Sequence, residues 1–173
     1  MNKSVIPYDP VWKQSFANEA SALRAVLGEH VQSIHHIGST SIPGMRAKPI
    51  IDILLEVTSL AGLDDRAEAM RETGYEVMGA YGIDGRRYYR KIDQTGTRTH
   101  HMHAFTIGSE HVERHLAFRD YLIAHPARAQ DYSDLKARLV QGDEVSWDTY
   151  LDGKDPFIKM VEQEALKWVR SRT

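Results

Sequence analysis

Apolar residues recur at steps of three and four from Trp12 through Phe16, Ala20, Leu23 and Leu27, a spacing that puts them on one face of a helix. Asp9-Pro10 supplies its start, a carboxylate to cap free N–H groups and a ring already fixed near helical φ, and Gly28 supplies its end. The period then shortens. Val31 to Ile37 is β-prone, and Ile50 to Val57 is nearly continuous apolar sequence, the pattern of a strand covered on both faces and therefore interior to its sheet. Leu63 to Thr73 predicts a short helix, while Tyr75 to Met78, Arg87 to Ile92 and His101 to Ile107 predict strands set off by Gly-rich turns. Beyond residue 108 the period is helical. Val112, Leu116, Arg119 and Ile123 share a face, Pro126 opens a second helix that Gly142 closes, and Asp155-Pro156 repeats the cap signal ahead of Ile158, Val161, Ala165 and Trp168. The pattern predicts one α/β domain over 1–173, sheet-rich over 1–108 and helical over 109–173.

Composition narrows the chemistry. With 173 residues the chain can bury a core without staples, and 22 Lys and Arg against 24 Asp and Glu give a net charge of -2, which excludes a strongly basic surface for duplex nucleic acid. Cysteine is absent, so thiol nucleophiles, disulfides and thiolate-held metals drop out. The start MNKSVIPYDP has no apolar signal core, and no apolar run approaches the length of a membrane span. The expectation is a soluble, cytoplasmic protein that makes no membrane contact.

Four groups of residues can carry chemistry. Gly38-Ser39-Thr40-Ser41-Ile42-Pro43-Gly44 follows a strand directly; glycines that let backbone N–H groups approach an anion, with three hydroxyls, suit a phosphate, although the same residues also make an ordinary turn. Met45 stands where the lysine of a Walker A loop would follow. Asp52 lies inside the apolar run, where an ionised carboxylate is costly unless it is paired, hydrogen-bonded or metal-bound; alternation sets it on one face with Ile50, Leu54 and Glu56. Lys48 is the obvious counter-ion if Asp52 is merely neutralised. His101 and His103 share a strand face and can chelate one ligand, provided Asp52 lies within reach to make a third donor. Arg86-Arg87-Tyr88-Tyr89-Arg90-Lys91 interleaves cations with tyrosines and suits a small phosphate ligand, or a solvated hairpin; helical Lys136, Lys154 and Lys159 can supplement it or stay solvated.

The run from His36-Ile37-Gly38-Ser39-Thr40-Ser41 through Lys48-Pro49-Ile50-Ile51-Asp52-Ile53 is similar to the signature of the GrpB family. Tyr8-Asp9-Pro10 with Trp12, His101-Met102-His103, Phe118-Arg119-Asp120-Tyr121-Leu122, and Tyr150 with Lys154 follow in the family's order. The resemblance implies a nucleotidyltransferase-like fold: a mixed sheet flanked by helices, with a helical C-terminal segment. That superfamily carries a Gly-Ser pair at one strand end and three carboxylates that hold divalent metal ions on neighbouring strands. Gly38-Ser39 and Asp52 fit it, but Leu54 occupies the second acidic position and His101 and His103 the third. The resemblance therefore implies a nucleotide or phosphate-ester ligand. Gly38, Ser39, Thr40, Ser41, Lys48, Arg90 and Lys154 would bind substrate. Asp52, His101 and His103 would be catalytic groups and ligands of a divalent metal, Mg, Mn or Zn, for transfer or hydrolysis. The alternative is a module that binds a nucleotide or coenzyme A without turnover.

Overall fold

In the computed structural model, which describes residues 5–141 and 145–172, helix α1 (Val11–Leu27) opens the fold and buries Trp12, Leu23 and Leu27. The Asp9 carboxylate accepts from the N–H of Val11 at 3.0 Å, and Gly28 ends the helix at φ 53°, a left-handed conformation that costs glycine little. Strands β1 (Val31–Ile37), β2 (Ile51–Val57), β3 (Tyr75–Val77), β4 (Arg87–Ile92) and β5 (Arg98–Thr106) form one sheet in the order β1-β2-β5-β4-β3. The β2 to β5 pairing is parallel and the others are antiparallel. As the apolar run requires, β2 is interior.

Alternation divides the sheet's two faces. Ile51, Ile53, Leu55 and Val57 join Met102, Ala104 and Tyr89 in the main core, beneath α1 and the short helices α2 (Leu60–Asp64) and α3 (Ala67–Glu72). The opposite face carries Asp52, Leu54, His101 and His103, with Leu54 and Phe105 packed on Ile37 and Val112. Three helices flank that side: α4 (Glu110–Ala124), α5 (Pro126–Leu139) and α6 (Trp147–Arg170). The loop after β1 is anchored there, because Ile42 and Met45 are buried with Leu122, Ala129, Tyr132 and Val161. The architecture is a mixed sheet flanked by helices, with a helical C-terminal segment. Among the described residues no helix is long and apolar enough to cross a membrane.

Several boundaries move. The helix expected over residues 63–73 is two, α2 and α3, because Ser59 caps a start at Leu60 and Arg66 leaves helical geometry between them. Strand β5 begins at Arg98 rather than His101. On α4 the buried stripe is Val112, Ala117 and Leu122, while Ile123 is 44% exposed. Asp155-Pro156 does not start a helix; Pro156 lies inside α6, whose true cap is Ser146, accepting from the N–H of Thr149. Gly142 lies outside the described residues.

Candidate functional site

Strand register sets the centre of the site. Asp52 pairs with Ile37 on β1 and His101 on β5, and His101 pairs in turn with Arg90 on β4. The Asp52 Oδ1 to His101 Nδ1 distance is 3.7 Å. Gly38, at φ +72°, covers the carboxylate: a Cβ built there would lie 2.5 Å from Oδ2 of Asp52. Any side chain at residue 38 would strain the backbone and collide with the acid, which explains the glycine twice over. Burial pushes the Asp52 carboxyl up to about 7, against the pull of Lys154 and Lys136, while 30% of the side chain still meets solvent through the mouth of the cleft.

Three lysines from different elements line the same cleft as this acid, and two of them, Lys136 and Lys154, act on its charge. Lys136 on α5 is 1% exposed, donates to Ser39 Oγ at 2.6 Å and lies 4.2 Å from the ring centre of Tyr132. Lys154 on α6 lies 4.8 Å from the ring of Tyr150, and Lys48, in the loop before β2, sits 3.7 Å over Trp147. Burial, reinforced by Lys154, lowers Lys48 to about 8 and holds Lys136 well below its ordinary value. Lysines in salt bridges do occur, Lys91 with Glu19 and Lys159 with Asp155. Among the described residues, none of these three has such a partner. Lys48 therefore does not neutralise Asp52; its partner is an aromatic face.

These groups line one pocket of about 390 Å³ with Ser39, Thr40, His101 and His103. It continues through Ile50, His101 and Trp147 into an outer pocket of about 580 Å³, whose wall is Tyr81, Tyr88, Arg90 and Arg98. Tyr81, 55% exposed, stacks on Tyr88 with ring centres 5.3 Å apart. Arg90 donates to Glu76 at 3.2 Å, so it belongs to the outer wall rather than beside Ser39.

The loop's hydroxyls serve different ends. Ser39 faces the cleft, Thr40 Oγ1 is 2.9 Å from Nε2 of His36, and Ser41 Oγ donates to the Gly38 carbonyl at 2.5 Å. Gly44 borders a separate groove beside Pro126 and Ser133. The expected metal set does not assemble. His101 faces Asp52, but His103 Nδ1 accepts from Arg86 Nη1 at 3.3 Å, which directs a cation where a metal would stand. Glu56 is taken by His35 at 2.7 Å. Among the described residues no three His, Asp or Glu side chains are arranged to hold an ion. The imidazoles stay neutral instead: burial, with Arg98 and Arg90, lowers His101 to about 4, and its Nε2 is buried without a hydrogen-bond partner.

Comparison with known proteins shows the family of this chain. The family model described as GrpB protein matches residues 3–164. UPF0157 protein YqkA of Bacillus subtilis (strain 168) is 45% identical over 168 residues, which is 97% of this chain and 48% of that protein; the chain thus spans about half of that relative's length. Glutamate-rich protein GrpB of Alkalihalophilus pseudofirmus is 33% identical over 92% of this chain and 94% of its own. The crystal structure of conserved protein GrpB from Enterococcus faecalis superposes with a TM-score of 0.89 at 44% identity, covering 94% of this chain and 97% of that one.

Proposed function

This chain belongs to the GrpB family, and from the cleft it carries we propose that it binds and acts on a small phosphate ester of nucleotide type. The observation that supports the reading most directly is that Lys48, Lys136 and Lys154 line one pocket with Ser39 and Asp52 and, among the described residues, none of the three has a salt-bridge partner. Lysines drawn partly out of water without a counter-ion favour an anionic ligand, and a phosphate supplies both the charge and the hydrogen-bond acceptors they lack. The ester's flat or apolar remainder fits the outer pocket, where Tyr81, Tyr88 and Trp147 offer ring faces and Arg90 and Arg98 offer cations. Asp52, poised at about 7, can take or give a proton at neutral pH.

Calorimetric titration tests the assignment. A nucleoside monophosphate is expected to bind at least tenfold more tightly than its nucleoside, and Lys154→Gln to remove most of that difference, by about 1.5–3 kcal/mol, the worth of a charge-assisted hydrogen bond. Equal affinity for the two ligands would remove the phosphate from the reading. A binding module differs from an enzyme in that the bound ester is recovered unchanged after prolonged incubation.

A further inference from the structure

Ser39 and Lys136 form a pair that phosphate binding alone does not explain. Ser39 follows Gly38 at a sharp change of direction, where β1 passes into a single 3-10 turn over Ser39–Ser41, and its hydroxyl faces the cleft. Lys136 approaches from α5, 1% exposed, its Nζ 2.6 Å from that hydroxyl. Both partners are fixed. Ile42 and Met45 lock the turn into the cluster that holds Tyr132 of α5, and Ser133 Oγ accepts from the N–H of Arg46 at 3.1 Å. Lys136 thus holds the serine hydroxyl directly as well as lining the cleft.

We propose that Ser39 is a nucleophile and Lys136 its general base in a covalent phosphoryl-transfer step, on the reading that the substrate is a phosphate ester. The neutral Lys136 amine takes the Ser39 Oγ proton as Oγ bonds to phosphorus, and the P–O bond to the leaving alcohol breaks. The Lys136 ammonium returns the proton to that alcohol oxygen. Water then attacks the phosphoserine and gives its proton to Lys136, which passes it to the departing Ser39 oxygen; the sum is ester plus water to alcohol plus phosphate. Lys48 and Lys154 offset the charge on the phosphoryl oxygens. Burial and Lys154 keep Lys136 well below an ordinary lysine, in the sense a base requires, while Asp52 opposes them.

A fluorophosphonate tests this without relying on anion binding, because the probe is uncharged and traps a nucleophilic serine by losing fluoride. With the full chain, peptide mass spectrometry is expected to find the adduct on Ser39, and Ser39→Ala to show none. The labelling rate should rise with pH as Lys136 loses its proton. The groups facing Lys136 are Ser39 from the loop, Asp52 from β2, Lys154 from α6 and Tyr132 from its own helix. Lys136→Arg removes the base, because a guanidinium does not give up its proton at neutral pH, so labelling should slow about 100-fold. Absence of an adduct on Ser39, a rate that falls as pH rises, or wild-type labelling in Lys136→Arg would each overturn the dyad and leave Lys136 as a phosphate clamp. Should that variant fail to fold, judged by circular dichroism, the wild-type pH profile decides alone. Labelling without any phosphate affinity would retain the nucleophile and reject the phosphate-ester reading.

Discussion

A carboxylic acid in the middle of an interior strand sits uneasily unless something holds it, and Asp52 is held by little. No hydrogen bond reaches it from His101 at 3.7 Å, and the lysines that attract it stand back from it. Burial therefore dominates and raises its carboxyl from 3.8 to about 7. The folded protein then keeps a proton that the unfolded chain has already lost between about pH 4 and 7, so this residue's contribution to stability falls as pH rises through that window. Three units correspond to about 4 kcal/mol, trimmed by solvent reaching the group through the cleft. Asp52→Asn has no such window. It is expected to match wild type near pH 4 and to be more stable by about 2–4 kcal/mol at pH 8, read by urea denaturation at both pH values. Lower stability at pH 8 would mean that the ionised acid balances a buried lysine, and that the site is structural.

At the scale of elements, α6 is where local sequence misleads. Proline removes an N–H from the helix interior and crowds the carbonyl four residues back, so Asp155-Pro156 reads as a start. Here Asp152 and Pro156 both lie on the exposed side of α6, and water can serve the carbonyl that the proline leaves unbonded, which is why the helix runs through. Pro156→Ala restores the donor and is expected to raise stability by about 1–3 kcal/mol in urea denaturation without changing the slope; a loss would show that the path of α6 over the cleft depends on the proline. The strands and α1 were legible because burial on one or both faces leaves a period that tertiary contacts reinforce. The meeting of Asp52 and His101 was legible in part, since an acid in an interior strand needs neighbours, yet only the parallel register of β2 with β5 selects His101 over His103. Lys136 was visible merely as a helical lysine. Its place three and four residues after Ser133 and Tyr132 puts it on the buried stripe of α5, but nothing local aims that stripe at Ser39, 97 residues earlier.

For the molecule as a whole, the unusual store is of neutral imidazole. Burial is the main force that lowers His36 and His101 to about 4 and His115 to about 3, and it holds His103 well below its ordinary range. His36 stacks on Phe16 with ring centres 4.7 Å apart, and His103 and His115 face one another at 5.6 Å, so protonation would charge rings already enclosed. Each is a base whose folded value lies below its unfolded 6.5. The stability it contributes is whole above that value and is lost as pH falls from 6.5 toward 4, because the unfolded chain takes up protons that the fold refuses. Asp52 works in the opposite sense between about pH 4 and 7, so these four histidines against one acid leave a net uptake of about three protons on unfolding near pH 5, and His100, also lowered by burial, acts in the same sense. At about 1.4 kcal/mol per proton and pH unit, stability should fall by roughly 4 kcal/mol for each unit below pH 6. The loss by pH 4 is then about 8 kcal/mol, enough to unfold a domain in the lower part of the ordinary range of about 5–15 kcal/mol. Guanidinium denaturation at intervals from pH 7 to 5 gives the slope directly. His115→Leu, which replaces one enclosed ring by an apolar side chain beside Phe105, is expected to reduce that slope by about a third. A midpoint that does not move between pH 6.5 and 5 would mean that these rings titrate in the fold as they do in water, and that the cleft is wetter than its geometry implies.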